Sequence, residues 1–399
     1  ATVPNLSFPY RRGISLVSIG FLTLACFASF PLTVAMGIHA QAESNLKQNQ
    51  LGKAVDRINL ASEIVPWEPV YPAHLGKIFL RLRNRVNDSA QAEEFSKFAV
   101  QSFQKTLQAA PNDPWFHHSL GLAWYSLDAE KAKTAFTRVL QILPRGNFYD
   151  YYLLALTYLE TEQPKEKVIT ALALQGLVQP EFLTFPVWDT NQQLSGLKKA
   201  VLEQTLNYLQ DIQNRLTPDT ETYNQVYEVR ILLQWWHEQP LEEFDMSRLR
   251  PRIQALLLAE TSPEEAINIV QSALEEKPDN VPLLLLRAWL NPDQYLESYL
   301  AQSDLFLQKD AQDIKENMKR YQRPRQWLKW LQPEAIPPRP LTGLVYTYRN
   351  YDVRWISSIP SPPELSYHRI VRNIKFFADY PQQLLPLEYL LQEVQSEAL

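Results

Sequence analysis

The sequence predicts an all-α fold, and three observations carry that prediction. Glycine is scarce beside proline, with 10 Gly against 29 Pro in 399 residues, a balance that suits helices punctuated by stops. Small and apolar residues recur at helical spacing. A proline closes one such segment after another. The length admits two or three ordinary domains or one long solenoid.

The first element is an uncharged apolar run from Gly13 to Ile38, "GISLVSIGFLTLACFASFPLTVAMGI". A bilayer core needs about 20 apolar residues, so the run reads as a transmembrane helix over 13–38 despite Pro31. Residues 1–12 form its flank, and Arg11 and Arg12 place that flank in the cytoplasm by the positive-inside rule. The bulk of the chain is then expected in the periplasm or in the lumen of an internal membrane. "HAQA" at 39–42 resembles a signal-cleavage site, but the run exceeds a signal core of about 7–15 residues, which favours a retained anchor. Ala1 in place of Met marks the chain as processed or as part of something longer.

The next element, 39–182, is a repeat. In "EKAKTAFTRVLQILP" the frame is Ala132, Phe136, Val139 and then Pro144. The same frame fits Ala54, Ile58, Ala61 and Pro66; Ala99, Phe103, Thr106 and Pro111; Val168, Leu172, Gln175 and Pro180; and, outside this segment, Ala266, Val270, Ala273 and Pro278. After three of the stops comes an aromatic-rich helix with a Leu-small pair: Leu75-Gly76, Leu120-Gly121 and Leu154-Ala155. This pattern resembles the tetratricopeptide repeat, a helix–turn–helix unit of about 34 residues. It makes Gly121 a close-packing position and "PNDP" at 111–114 an inter-repeat turn. The spacing from Pro66 to Pro111 implies an insertion around "LRNRVNDSAQAE".

Residues 183–335 read as irregular helical repeats, with Ser262-Pro263-Glu264-Glu265 as a helix start. Residues 336–399 change period. A Pro-rich segment leads into "LTGLVYTYRNYDVRWISSIP", read as a β-hairpin, and a final helix follows.

The chemistry is sparse. A formal charge of −5 argues against an electrostatic nucleic-acid binder. Cys26 is the single cysteine, so neither an intrachain disulfide nor a thiolate zinc site is available. No phosphate-loop, dinucleotide, zinc-protease or nucleophile-elbow motif occurs. His117-His118 is not a metal pair, because neighbours in a helix do not share a face; the repeat frame turns His117 inward and His118 toward a concave surface. No catalytic residue, metal site or cofactor is expected.

Binding surfaces are the remaining candidates. The concave face of the repeat would carry Lys77, Trp115, His118, Tyr125, Tyr149 and Tyr152, an aromatic groove suited to a peptide or partner helix. "QWWHE" at 234–238 could stack a sugar ring or fill core. "KRYQRPRQWLKW" at 319–330 holds Lys319, Arg320, Arg323, Arg325, Trp327 and Trp330, a mix that suits an anionic lipid or glycan or a solvated helix end.

The runs "INLASEIVPWEPVYPAHLG", "TLQAAPNDPWFHHSLGLAWY", "VQPEFLTFPVWDTNQQL" and "LVYTYRNYDVRWISSIPSP" also resemble the repeat-bearing C-terminal region of bacterial O-antigen ligase/polymerase-type membrane proteins. That resemblance implies glycan transfer by a multi-span membrane region. This chain has one apolar span, so no catalytic residue carries over. The sequence therefore points to a membrane-anchored, non-catalytic helical-repeat scaffold for a protein partner or membrane complex, with the tail of a glycan enzyme as the alternative.

Overall fold

The computed structural model describes residues 29–143, 149–185, 187–241, 244–302 and 311–330. The chain divides into two compact units, 1–142 and 143–399, each with its own packing. The division falls inside the segment read as tetratricopeptide-like. Among the described residues every regular element is helical. The hairpin expected in 336–399 and the helix after it lie outside the described residues.

The first unit begins with a helix over 29–47 (α1), followed by α2 (Leu51–Ile64), α3 (Val70–Arg83), α4 (Ser89–Ala109), α5 (Pro114–Trp124) and α6 (Ala129–Ile142). Residues 13–28, most of the run read as a membrane span, are not among those described. Among the described residues no helix is long and apolar enough to cross a membrane. The end of that run departs from the expected span. Leu32, Ala35 and Ile38, with Ala42 and Leu46 beyond it, recur three or four residues apart and pack against α2 and α3. A single stripe at that period belongs to a helix on a protein core rather than one wetted by lipid all round. The opposite face keeps apolar residues in the open, with Phe30 70% exposed.

Proline sets where the helices end. Helices α2, α4 and α6 each stop two residues before Pro66, Pro111 and Pro144. In the second unit α8 (Lys165–Val178) and α14 (Pro263–Glu276) do the same before Pro180 and Pro278. The intervening residues Val65, Ala110, Gln179 and Lys277 share one backbone shape, φ −130 to −139 with ψ 71 to 84. The Pro ring disfavours the α region for its predecessor, and at these four positions the chain leaves the helix there. After Pro111, the Asp113 carboxylate accepts the Trp115 N–H at 2.9 Å and Pro114 occupies the first helical turn. "PNDP" thus stops one helix and starts the next within four residues. Ser262 precedes α14 as expected, but its side chain makes no capping bond. The surplus length of the first repeat extends a helix rather than a loop: α4 has 21 residues where α6 has 14.

Glycine sets how close the paired helices come. A Cβ on Gly76 would stand 2.6 Å from the Phe103 ring, and one on Gly121 would stand 2.5 Å from the Phe136 ring. Both phenylalanines are fully buried. The aromatic of α4 or α6 therefore presses its ring directly against bare backbone of α3 or α5. Each buried ring contributes about 1.5–3 kcal/mol by leaving water.

The second unit holds α7 (Asp150–Glu160), α8, α9 (Val187–Thr190), α10 (Gln192–Ser195), α11 (Lys198–Arg215), α12 (Glu221–Trp236), α13 (Pro251–Leu258), α14, α15 (Val281–Leu290), α16 (Pro292–Gln302), α17 (Ala311–Arg320) and α18 (Pro324–Trp330). Ala155 of α7 and Leu172 of α8, both fully buried, occupy the small and large positions of a third hairpin. Further on, α8 pairs with α11, α11 with α12, α13 with α14 and α15 with α16. Buried Glu228 of α12 grips Arg250, accepting its backbone N–H at 3.0 Å and its Nη2 at 2.6 Å.

The close approach predicts that Gly121→Val destabilises the first unit by about 1–3 kcal/mol. Helix propensity alone would favour that change by about half a kcal/mol. Denaturant unfolding followed by circular dichroism decides between the two signs. Phe136→Leu should partly relieve the clash, so the double variant should lose less than the two single variants together.

Candidate functional site

The six residues expected on a concave face divide between the units. In the first unit Lys77 of α3 and Trp115 and His118 of α5 do come together. The Lys77 Nζ lies 5.3 Å from the Trp115 ring centroid, and the Trp115 and His118 rings stack at 5.6 Å and 16°. They form a packed layer rather than an open groove: Lys77 is 7%, Trp115 3% and His118 4% exposed. The expected facing of the histidine pair is reversed. His118 is buried edge-on to Phe136, while half-buried His117 bonds the Pro111 carbonyl at 2.8 Å. The cause is the start of α5 at Pro114, which turns Trp115, His118 and Ser119 to the core at helical spacing. Tyr125, half-buried, follows the end of α5. The Arg83 guanidinium, reaching from α3, donates to the Leu122 carbonyl of α5 at 2.9 Å.

Tyr149 and Tyr152 belong to the second unit. Tyr149 stands just before α7 with φ 62, and its ring lies 5.5 Å from Phe185. Tyr152 lies 5.3 Å from Phe182. Phe182 in turn meets Trp188 at 5.1 Å, and the Trp188 indole donates to the Phe182 carbonyl at 2.9 Å. This aromatic cluster holds the 3-10 turn Pro180–Thr184 against α8.

The second unit also contains an open concavity of about 690 Å³. Its walls carry Thr184, Asp189, Lys198, Lys199, Trp236 and Glu238, with His237 beside them. Lys198 pairs with Asp189 at 2.8 Å, and the Lys199 side chain is 82% exposed. The cleft therefore offers both signs of charge around an indole. It draws on Thr184, the α9–α11 segment and the end of α12, so no single stretch of sequence announced it.

Two aromatic stretches singled out in the sequence meet here. Arg325, on α18, stacks its guanidinium 5.2 Å from the Trp235 ring and reaches Glu238 at 2.6 Å, across 87 residues. Trp327 is fully buried and stacks on Trp289 at 4.8 Å, so it leaves the surface patch expected over 319–330. The Trp289 indole donates to the Tyr321 carbonyl at 2.7 Å. Lys319, Arg320 and Arg323 stay exposed, and Trp330 ends α18. Trp235 and Trp236 are largely buried, with Trp236 on the cleft wall.

Sequence reasoning missed one further cluster. His39 of α1 and His74 of α3, 35 residues apart, meet at 2.8 Å between Nε2 and Nδ1. Glu43 stands beside them. A separation of about one repeat was the signal that could have found this pair, because successive repeats stack equivalent helices side by side.

No family model matches the chain, and no curated protein matches it. Among solved structures the chain is similar to the crystal structure of the P58(IPK) TPR domain, at 16% identity, over 75% of this chain and 99% of that one, with a TM-score of 0.19. The helical-repeat class rests on the paired helices and the glycine–phenylalanine contacts.

The contacts of Arg325 predict a division within the basic segment. Arg325→Ala removes a cation–π contact and an ion pair and should destabilise the second unit by about 1 kcal/mol. Arg320→Glu with Arg323→Glu should shift its stability by less than about 0.5 kcal/mol. Thermal unfolding of the two variants distinguishes them.

Proposed function

We propose that the chain is a non-catalytic scaffold that holds a polypeptide partner in the cleft of its second unit. The observation that carries this reading is the cleft itself. It is a concavity in a stack of helical pairs, with an indole and charges of both signs on its walls. Such a surface recognises polypeptide through an aromatic anchor and a charged rim. The layer of Lys77, Trp115 and His118 then serves to pack repeats together rather than to meet the partner. The partner is a protein of the cell envelope or a large membrane complex. The uncharged run that begins at Gly13 tethers the scaffold to a membrane. From Gly13 to Pro31 it falls within the roughly 17–25 residues a span requires, and the arginines before it set the repeats on the extracytoplasmic side.

The second reading, a non-catalytic portion of a glycan ligase or polymerase, is favoured by one observation. Trp236 and His237 share the cleft with Asp189 and Lys198, and an indole with polar neighbours is also how proteins stack sugar rings.

A photo-crosslinking residue at Ser195, an exposed position of the cleft, tests the first reading in native membranes. It should give a discrete protein adduct that disappears on Lys198→Glu with Lys199→Glu. Equal labelling from exposed Glu264, which is not among the cleft residues, would contradict partner docking at the cleft, and an adduct digested by glycosidases would favour the glycan reading. The tether has its own test. The chain should resist alkaline extraction from membranes, and Ile19→Arg with Leu24→Arg should release it, each arginine costing about 2.5–3.5 kcal/mol in a span. Alkaline release of the unaltered chain would contradict the tether.

A further inference from the structure

The cluster of His39, Glu43 and His74 is not used by the scaffold reading. His39 and Glu43 are four residues apart on α1 and therefore share one face of that helix. His74 reaches them from the opposing helix α3. One ligand atom from each of the three lies within 4.8 Å of the others. The Tyr71 ring backs His39 at 5.3 Å. His74 is buried and His39 is 9% exposed, while Glu43 stands half-buried at the rim.

We propose that His39, Glu43 and His74 bind one divalent ion of the zinc class, clamping α1 to the first repeat. Two imidazoles and a carboxylate suit zinc and its neighbours, whereas magnesium and calcium select oxygen ligands. Two imidazole nitrogens that share a tetrahedral ion stand about 3.4 Å apart. The two nitrogens, now 2.8 Å apart, need to part by about half an ångström, with the rings tilting so that both lone pairs converge on the ion. The ion displaces the proton shared between the two facing nitrogens. That proton moves to the outer nitrogen of its own ring, so both imidazoles stay neutral and both facing lone pairs are available to the metal. The site leaves a fourth position to water, the arrangement of an open zinc centre.

The electrostatics bear on the same geometry. Burial pushes the His39 imidazole down to about 4, and burial with the nearby charges of His39, Arg81 and Lys77 pushes His74 down to about 3. Burial therefore favours the neutral form of both rings, the form a metal requires. Lys77 and Arg81 repel a dication. Lys77 turns its ammonium toward the Trp115 ring, and the Glu43 carboxylate supplies the compensating charge.

The site also differs from an ordinary buried histidine pair in where it lies. It ties α1, which carries the end of the apolar run, to the first repeat. A metal bridge there would fix the angle at which the chain leaves any membrane and enters the scaffold.

The test uses the full chain without a histidine tag, stripped of metal by a chelator that is then removed. Zinc is titrated calorimetrically, and cobalt(II) is added as a spectroscopic probe of coordination. The expected result is one zinc per chain, a cobalt spectrum with imidazole ligation, and a higher unfolding temperature with zinc. Glu43→Gln, at a half-buried position, keeps the fold by circular dichroism and should weaken zinc binding by roughly 10–100-fold or more. His39→Asn and His74→Asn should abolish it. His117→Gln with His237→Gln should leave it intact. The proposal is overturned if the folded unaltered chain takes up no zinc at micromolar concentration. It is equally overturned if Glu43→Gln binds zinc as the unaltered chain does.

Discussion

The absence of a side chain at two positions governs how the first unit is put together. Gly76 and Gly121 leave room for Phe103 and Phe136 to lie directly on the backbone of the preceding helix, where a single Cβ would come within 2.6 and 2.5 Å of the ring. Interiors pack at nearly crystalline density, so a ring seated on bare backbone leaves the pair of helices one separation and little freedom of rotation. Between the two pairs, α3 meets α5: a buried lysine of α3 lies over Trp115, and Arg83 reaches the Leu122 carbonyl. Proline supplies the complementary constraint along the chain: before Pro66, Pro111, Pro180 and Pro278 the preceding residue leaves the helical region.

These constraints bear on function by deciding which concavities stay open. An aromatic-lined groove is attractive in sequence, yet stacked aromatics and a cation at helical spacing also satisfy one another. In the first unit they do so, and the layer is closed by its own side chains. In the second unit the less regular segment after Pro180 breaks the alternation of long helices. Short helices α9 and α10 follow, and the cleft opens beside them. Its rim charges are partly paired, as in Lys198 with Asp189, which keeps the rim ordered while costing little to rearrange around a partner.

Much of the fold was legible in the sequence because its signals are local. Pro66, Pro111, Pro180 and Pro278 act on their immediate neighbours, and Leu75-Gly76 and Leu120-Gly121 announce close packing within one turn of helix. The ends of α2, α4, α8 and α14 follow from the prolines, and the close pairing of α3 with α4 and of α5 with α6 follows from the glycines. The candidate sites were less legible because they depend on contacts between distant segments. Nothing in "QWWHE" or "KRYQRPRQWLKW" says that Arg325 settles on Trp235 and Glu238, or that Trp327 stacks on Trp289. Burial reversed the reading of His117 and His118 because one residue of helical phase, fixed by the start at Pro114, decides which ring faces the core. The apolar run misled in its last third for a related reason: Leu32, Ala35 and Ile38 are equally compatible with lipid and with a protein core, and their three- and four-residue spacing continues past the run to Ala42 and Leu46.

The seating of phenylalanine on glycine is directly observable. With glycine and phenylalanine selectively labelled in the full chain, magnetic resonance should show cross-peaks from the Gly76 α-protons to the Phe103 ring and from the Gly121 α-protons to the Phe136 ring. The glycine α-protons should also be displaced by the ring currents above them. Cross-peaks and displaced shifts at both glycines are the result this account predicts. Glycine α-protons at ordinary positions, with no contact to either ring, would contradict it and with it the helical-repeat architecture.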